Sequence, residues 1–90
     1  MDEAAYRAHV VAKGYGEPAF REQPADKFVA RHTHDFGACL FFLEGQFTIE
    51  TDEGPVTCGP GDMYEIAPNV PHTELSGPTG AKYLAAKKAV

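Results

Sequence analysis

Residues 31–35 read Arg31-His32-Thr33-His34-Asp35, with two histidines one residue apart. Side chains at i and i+2 of a β-strand point to the same face. On a strand, His32 and His34 therefore present two imidazoles side by side. Neutral imidazole is a common ligand for divalent transition metals, so the pair is a natural start to a metal site. Ordinary surface strands carry such pairs too, which makes a third donor and an enclosing cavity decisive. His72 offers the third donor. It follows Pro71 at the start of a strand, behind a turn in which Pro68 and Pro71 flank Asn69. Asn tolerates positive φ, and a rigid turn keeps an imidazole from wandering.

The elements that must position these residues are short. A chain of 90 residues is one domain, spanning 1–90. A domain of this size buries only about 60–65% of its unfolded surface, so its stability is marginal and a homodimer is expected. The net charge of −5 argues against a nucleic-acid surface or an anionic membrane as partner. Lys87-Lys88 is the only cluster of basic residues, and no apolar run approaches membrane-spanning length. The N-terminus, Met1-Asp2-Glu3, is acidic, unlike a signal peptide. Cys39 and Cys58 form neither a CxxC nor a disulfide framework. The expectation is a soluble, cytoplasmic protein with reduced thiols.

Asp2 to Lys13 is the one good helical stretch, with Asp2 as cap, Tyr6 and Val10 on a weak apolar stripe, and Gly14 past the last turn. His9 reads as an exposed helical histidine. From Ala19 to Ala86 the pattern is strand and turn, eight or so short strands. Phe28, Ala30, His32 and His34 share one face by alternation. Ala38 to Leu43 is apolar on both faces, which places it in a sandwich interior or under a dimer partner. Glu44-Gly45 reads as a turn or bulge. Phe47 and Ile49 point inward. Gly77-Pro78-Thr79-Gly80 reads as a turn, and Lys87 to Val90 as a frayed tail. The fold class is all-β, a sandwich or jelly-roll barrel with a short N-terminal helix.

The spacing resembles that of the cupins. Their first motif runs Gly, five residues, His-x-His, three or four residues, Glu, six residues, Gly. Here Asp26 stands at the opening Gly, His32 and His34 match, Ala38 stands where the Glu would be, and Gly45 closes. Their second motif runs Gly, five residues, Pro-x-Gly, two residues, His, three residues, Asn. Here Gly61 opens, Ala67-Pro68-Asn69 fills the turn, His72 matches, and Ser76 replaces the Asn. The resemblance covers Ala19 to about Ala86 and implies a cupin-type jelly-roll barrel. It also implies a metal site, with the usual carboxylate lost at Ala38, or at Cys39 under the longer spacing. What remains resembles a three-histidine variant: His32, His34 and His72. The resemblance allows Fe, Mn, Ni, Cu or Zn. A neutral triad leaves the full charge on the ion, a strong Lewis acid with open positions.

Glu74, at i+2 from His72, shares its inward face. Three roles are open to it: a fourth ligand, a catalytic base beside the metal, or a rim carboxylate in water or paired with a Lys. Glu65 reads as a structural ion-pair partner, Tyr64 and Tyr83 as packing residues, and Cys39 as a small hydrophobe or a soft ligand. Phe28, Phe36, Phe42, Phe47 and Met63 are candidates for an apolar lining. The expected function is a metal-dependent, dioxygenase-like enzyme acting on a small organic molecule. The alternative is a non-catalytic metal- or small-ligand-binding module.

Overall fold

A computed structural model describes residues 1–89. Among them are one helix, α1 (Glu3–Ala12), and six strands: β1 (Ala19–Gln23), β2 (Phe28–His32), β3 (Phe36–Thr51), β4 (Gly54–Cys58), β5 (Met63–Ile66) and β6 (His72–Ala89). The expected all-β class with a short N-terminal helix holds. Among the described residues no helix is long and apolar enough to cross a membrane.

The strands are fewer and longer than the turn residues suggest. The 77–80 segment, expected as a turn, lies inside β6, and Glu44-Gly45 is a bulge inside β3. β3 and β6 pair antiparallel from Phe36↔Ala89 to Glu50↔Thr73, with register shifts between Phe42 and Glu44 and between Gly45 and Phe47. At the bend the two backbones nearly touch. A Cβ on Gly45 would lie 2.1 Å from the Gly80 carbonyl oxygen, and both residues have positive φ (78° and 82°). Glycine is required there because the strands bend together, and the bulges supply the bend. The tail expected to fray instead extends β6: Lys87, Lys88 and Ala89 pair with Ala38, Gly37 and Phe36. Val90 lies outside the described residues.

β1 and β2 both pair with one edge of β6, and β4 and β5 with the outer edge of β3. The bent long strands thus carry one sheet with two halves. One half joins β2 and β4 to the 72–76 and 47–51 segments, the other β1 and β5 to the 81–89 and 36–42 segments. Among the described residues the sheet does not close on itself. Ala38, Leu40, Phe42, Phe47, Ile49 and Tyr83 form the core between the halves.

The two-sided apolarity of Ala38 to Leu43 has an explanation within the chain. Ala38, Leu40 and Phe42 face the interior, while Cys39 and Phe41 face α1. Tyr6 and Val10 lie one helical turn apart and are both fully buried on that outer face. The Tyr6 ring stacks on Phe41 at 5.1 Å, and its hydroxyl donates to the Cys39 carbonyl at 2.8 Å. Burying a side chain of Val or Phe size is worth about 1.5–3 kcal/mol, so these contacts hold the helix on the sheet. The cover comes from α1 rather than from a partner subunit. Asp2 caps the helix as expected, its Oδ1 accepting from the Ala5 N–H at 2.8 Å.

Candidate metal centre

His32 and His72 are direct partners across the β2–β6 ladder, so their imidazoles meet by register. Their ring centroids are 4.4 Å apart. His34 lies just past the end of β2 and is held in place by the turn before β6. The Asn69 N–H donates to the His34 carbonyl at 2.7 Å, and Asn69 takes φ 63°. The His34 ring sits 4.8 Å from His32 and 5.2 Å from His72. Glu74, two residues along β6 from His72, points the same way. Its Oε2 is 3.1 Å from His72 Nε2 and 3.3 Å from His32 Nε2. One ligand atom from each of His32, His34, His72 and Glu74 lies within 4.8 Å of every other.

The ring orientations suit a metal. His32 Nδ1–H donates to the Ala30 carbonyl at 2.7 Å, and His72 Nδ1–H donates to the Val70 carbonyl at 2.9 Å. Such carbonyl bonds fix the tautomer and leave Nε2 as a lone-pair donor turned to the centre. Burial, followed by the neighbouring His32 and His72, holds the His34 imidazole below its ordinary range, which favours the neutral, ligating form. His72 has no exposed surface. Three imidazoles and one carboxylate are a fitting donor set for a divalent transition metal.

The surrounding positions explain the motif. Asp26, at the opening glycine position, takes φ 54°, a conformation glycine adopts without strain. Ser76, at the Asn position, is buried, accepts from the Lys27 N–H at 2.8 Å and donates to the Pro24 carbonyl. It ties the loop before β2 to β6 and so supports the His32–His72 register. Ala38, at the vacant Glu position, lines a cavity of about 250 Å³ together with His32, His34 and Glu74.

Two expected lining residues are elsewhere. The β2 register shifts between Val29 and His32, so Phe28 does not share the imidazole face and is 62% exposed. Met63 packs in the α1-side cluster. Phe36 does line the cavity and stacks on His34 at 4.8 Å, while Phe42 and Phe47 lie deeper in the core. Tyr83, expected only to pack, also reaches the cavity, where its hydroxyl accepts from Gln23 Nε2 at 3.2 Å. Arg21 and Lys87, not anticipated from the sequence, line it too. Strand parity could have found Lys87, since Tyr83, Ala85 and Lys87 alternate on one face of β6.

Cys39 lies on the opposite face of β3. It forms a separate cluster with His9 and Glu65, again within 4.8 Å. Burial, then the Glu65 charge, pushes its thiol up to about 12, so it is a small hydrophobe rather than a ligand of the imidazole centre. Glu65 accepts from the Tyr15 hydroxyl at 3.0 Å and contacts His9 Nε2, which makes it the structural partner expected of it. Burial pushes its carboxyl up, but the bonds from His9 and Tyr15 push it down further, below its ordinary value. His9, expected to be exposed, is thereby half-buried and clamps α1 to β5.

Comparison with known proteins follows the same outline. No curated protein matches this chain. A protein of unknown function from Rhizobium leguminosarum superposes with a TM-score of 0.76 at 20% identity, covering 81% of this chain and 69% of that one. An RmlC-like cupin from Shewanella frigidimarina gives 0.70 at 19% identity, covering 81% and 65%. A predicted oxalate decarboxylase from Thermotoga maritima gives 0.69 at 16% identity, covering 91% and 73%. At these identities the likeness shows the fold. The family described as the cupin domain matches residues 20–84, from within β1 to within β6, and this chain belongs to the cupins.

Proposed function

We propose that this cupin is a metal-dependent, dioxygenase-like enzyme that acts on a small organic molecule at His32, His34, His72 and Glu74. The observation that carries the reading is the convergence of three imidazoles and one carboxylate beside a 250 Å³ cavity. A bound divalent ion (Fe, Mn, Ni, Cu or Zn) would supply Lewis acidity and open positions for an oxygen-bearing ligand. His32 and His72 would hold it through Nε2, each ring oriented by its carbonyl partner, and His34 would complete the triad. Glu74 stands where it can serve as fourth donor, taking over the carboxylate role lost at Ala38, or as a proton carrier. Phe36, Leu40 and Ile66 give the cavity an apolar wall.

One observation favours the second reading, a non-catalytic metal- or ligand-holding module. Glu74 is the only carboxylate among the described cavity residues, and it already contacts His32 and His72. Metal analysis combined with oxygen uptake on the same tag-free sample separates the two. Iron with substrate-stimulated uptake is the expected result; tightly held zinc without turnover would make the protein a module.

A homodimer and a cytoplasmic setting belong to the same proposal. Cys39 and Cys58 are buried and unpaired, which suits a reducing compartment. Phe28 and Leu75 face each other across the β2–β6 ladder and are 62% and 42% exposed, an apolar pair that a second copy would cover. Light scattering is expected to give twice the chain mass, and Phe28→Asp to halve it. A wild-type monomer at micromolar concentration contradicts the dimer.

A further inference from the structure

The cavity beside the imidazoles carries two cations, Arg21 and Lys87. Among the described residues Arg7, Arg31 and Lys82 each pair with a carboxylate, while no carboxylate lies within 4.0 Å of Arg21 or Lys87, nor of Lys13, Lys27 or Lys88; what sets Arg21 and Lys87 apart is that both line this cavity. Their placement is fixed by the sheet. Arg21 lies opposite Tyr83 in the β1–β6 pairing, and Lys87 lies opposite Ala38 in the β3–β6 pairing. The Lys87 ammonium is 4.7 Å from the centre of the Phe36 ring, and Phe36 in turn stacks on His34. This cation–π contact holds the charge beside the imidazole cluster. Leu40, Ile66 and Ala85 add apolar side chains to the same lining.

Two cations, a metal-type donor cluster and apolar side chains around one cavity define a ligand. Resting on the metal-site reading above, we propose that the cavity takes a small carboxylic acid. Its carboxylate is held by Arg21 and Lys87, and its reacting end faces His32, His34 and His72. The guanidinium fork matches a carboxylate bidentately, and the ammonium adds a point charge. The volume of 250 Å³ is below the roughly 300–1,000 Å³ of drug-sized sites, so the acid is a small one. Neutral or cationic molecules of the same shape leave both cations uncompensated and are disfavoured.

Calorimetric titration of pyruvate and succinate, against their neutral amides pyruvamide and succinamide, tests this on metal-loaded and on chelator-stripped protein. The acids are expected to bind at least about tenfold more tightly than the amides. Arg21→Gln and Lys87→Gln are each expected to weaken the acids about tenfold, leaving amide binding and metal content unchanged. Equal affinity for acids and amides, no binding of either acid at millimolar concentration, or unchanged acid binding in both variants overturns the inference. Inorganic phosphate binding more tightly than the acids, through the same two residues, overturns the carboxylate assignment. Metal content of the same samples keeps the failures distinct. Loss of metal binding refutes the metal reading, while the preference for acids on stripped protein is still decided by Arg21 and Lys87.

Discussion

His72→Gln is expected to remove the metal-linked stability of the domain. A ligand that binds only the native state at about 1,000 times its Kd stabilises by about 4 kcal/mol. Domains of 60–100 residues shift by roughly 4–8 °C per kcal/mol, so loaded wild-type protein should melt roughly 15–30 °C above stripped protein. His72 is fully buried, its Nδ1–H is bound to the Val70 carbonyl, and its Nε2 faces the centre. Gln keeps similar bulk but not the oriented imidazole. Metal affinity should fall more than about a hundredfold, since second-shell partners alone are worth about 10–100-fold. The gap between loaded and stripped melting points should then close. The readout is that gap, which does not depend on how stable the stripped variant is. His32→Ala, at a partly exposed side chain, should close it as well and stands in if His72→Gln does not fold. Calorimetry showing the wild-type gap in both variants would remove these histidines from the site.

The second large effect concerns the vacant carboxylate position. Glu74→Ala should weaken metal binding on the order of a hundredfold, because its Oε2 is the negative donor facing both His32 and His72 Nε2. Ala38→Glu in the same chain should recover part of the loss. Ala38 lines the same cavity as His32 and His34, so a carboxylate there points to the same centre. The recovery should be incomplete, since Ala38 lies directly opposite Lys87, and cross-strand neighbours at about 5 Å pair when oppositely charged. Adding Lys87→Gln should therefore improve the rescue. Ala38→Glu alone should hold or raise affinity while filling an open position, so any turnover that needs the position should drop about tenfold or more. Competition titrations with a chromophoric chelator measure all four variants. Unchanged affinity in both single variants would mean that neither position belongs to the centre.

What the sequence made legible were features set by short-range geometry. The spacing of His32 and His34 brought the pair to notice, although His34 lies past the end of β2 and is held by the Asn69 N–H; His72 is fixed by its proline turn, and the inward Phe47 and Ile49 by alternation. Glu74 was legible by parity from His72, although its contact with His32 depends on the β2–β6 register. What escaped depended on long-range pairing. Gly45 and Gly80 look like strand ends because glycine marks turns, yet each is required by the other's backbone across the sheet. Reading β6 as broken at 77–80 and frayed after Ala86 hid Lys87 from the cavity, and Arg21 with it. The outer face of β3 looked like an interface because nothing local says that Tyr6 and Val10, far away in sequence, will cover it. The slip in β2 that turns Phe28 outward is a register event, invisible to a strict alternation of faces.

The most direct test is mass-spectrometric metal analysis of tag-free protein, purified without chelator, beside the His32→Ala/His34→Ala/His72→Ala variant. Close to one transition-metal ion per wild-type chain is expected, and essentially none in the variant. A folded wild type that takes up no ion from a mixture of divalent metals, or a triple variant that binds as much as wild type, would contradict it.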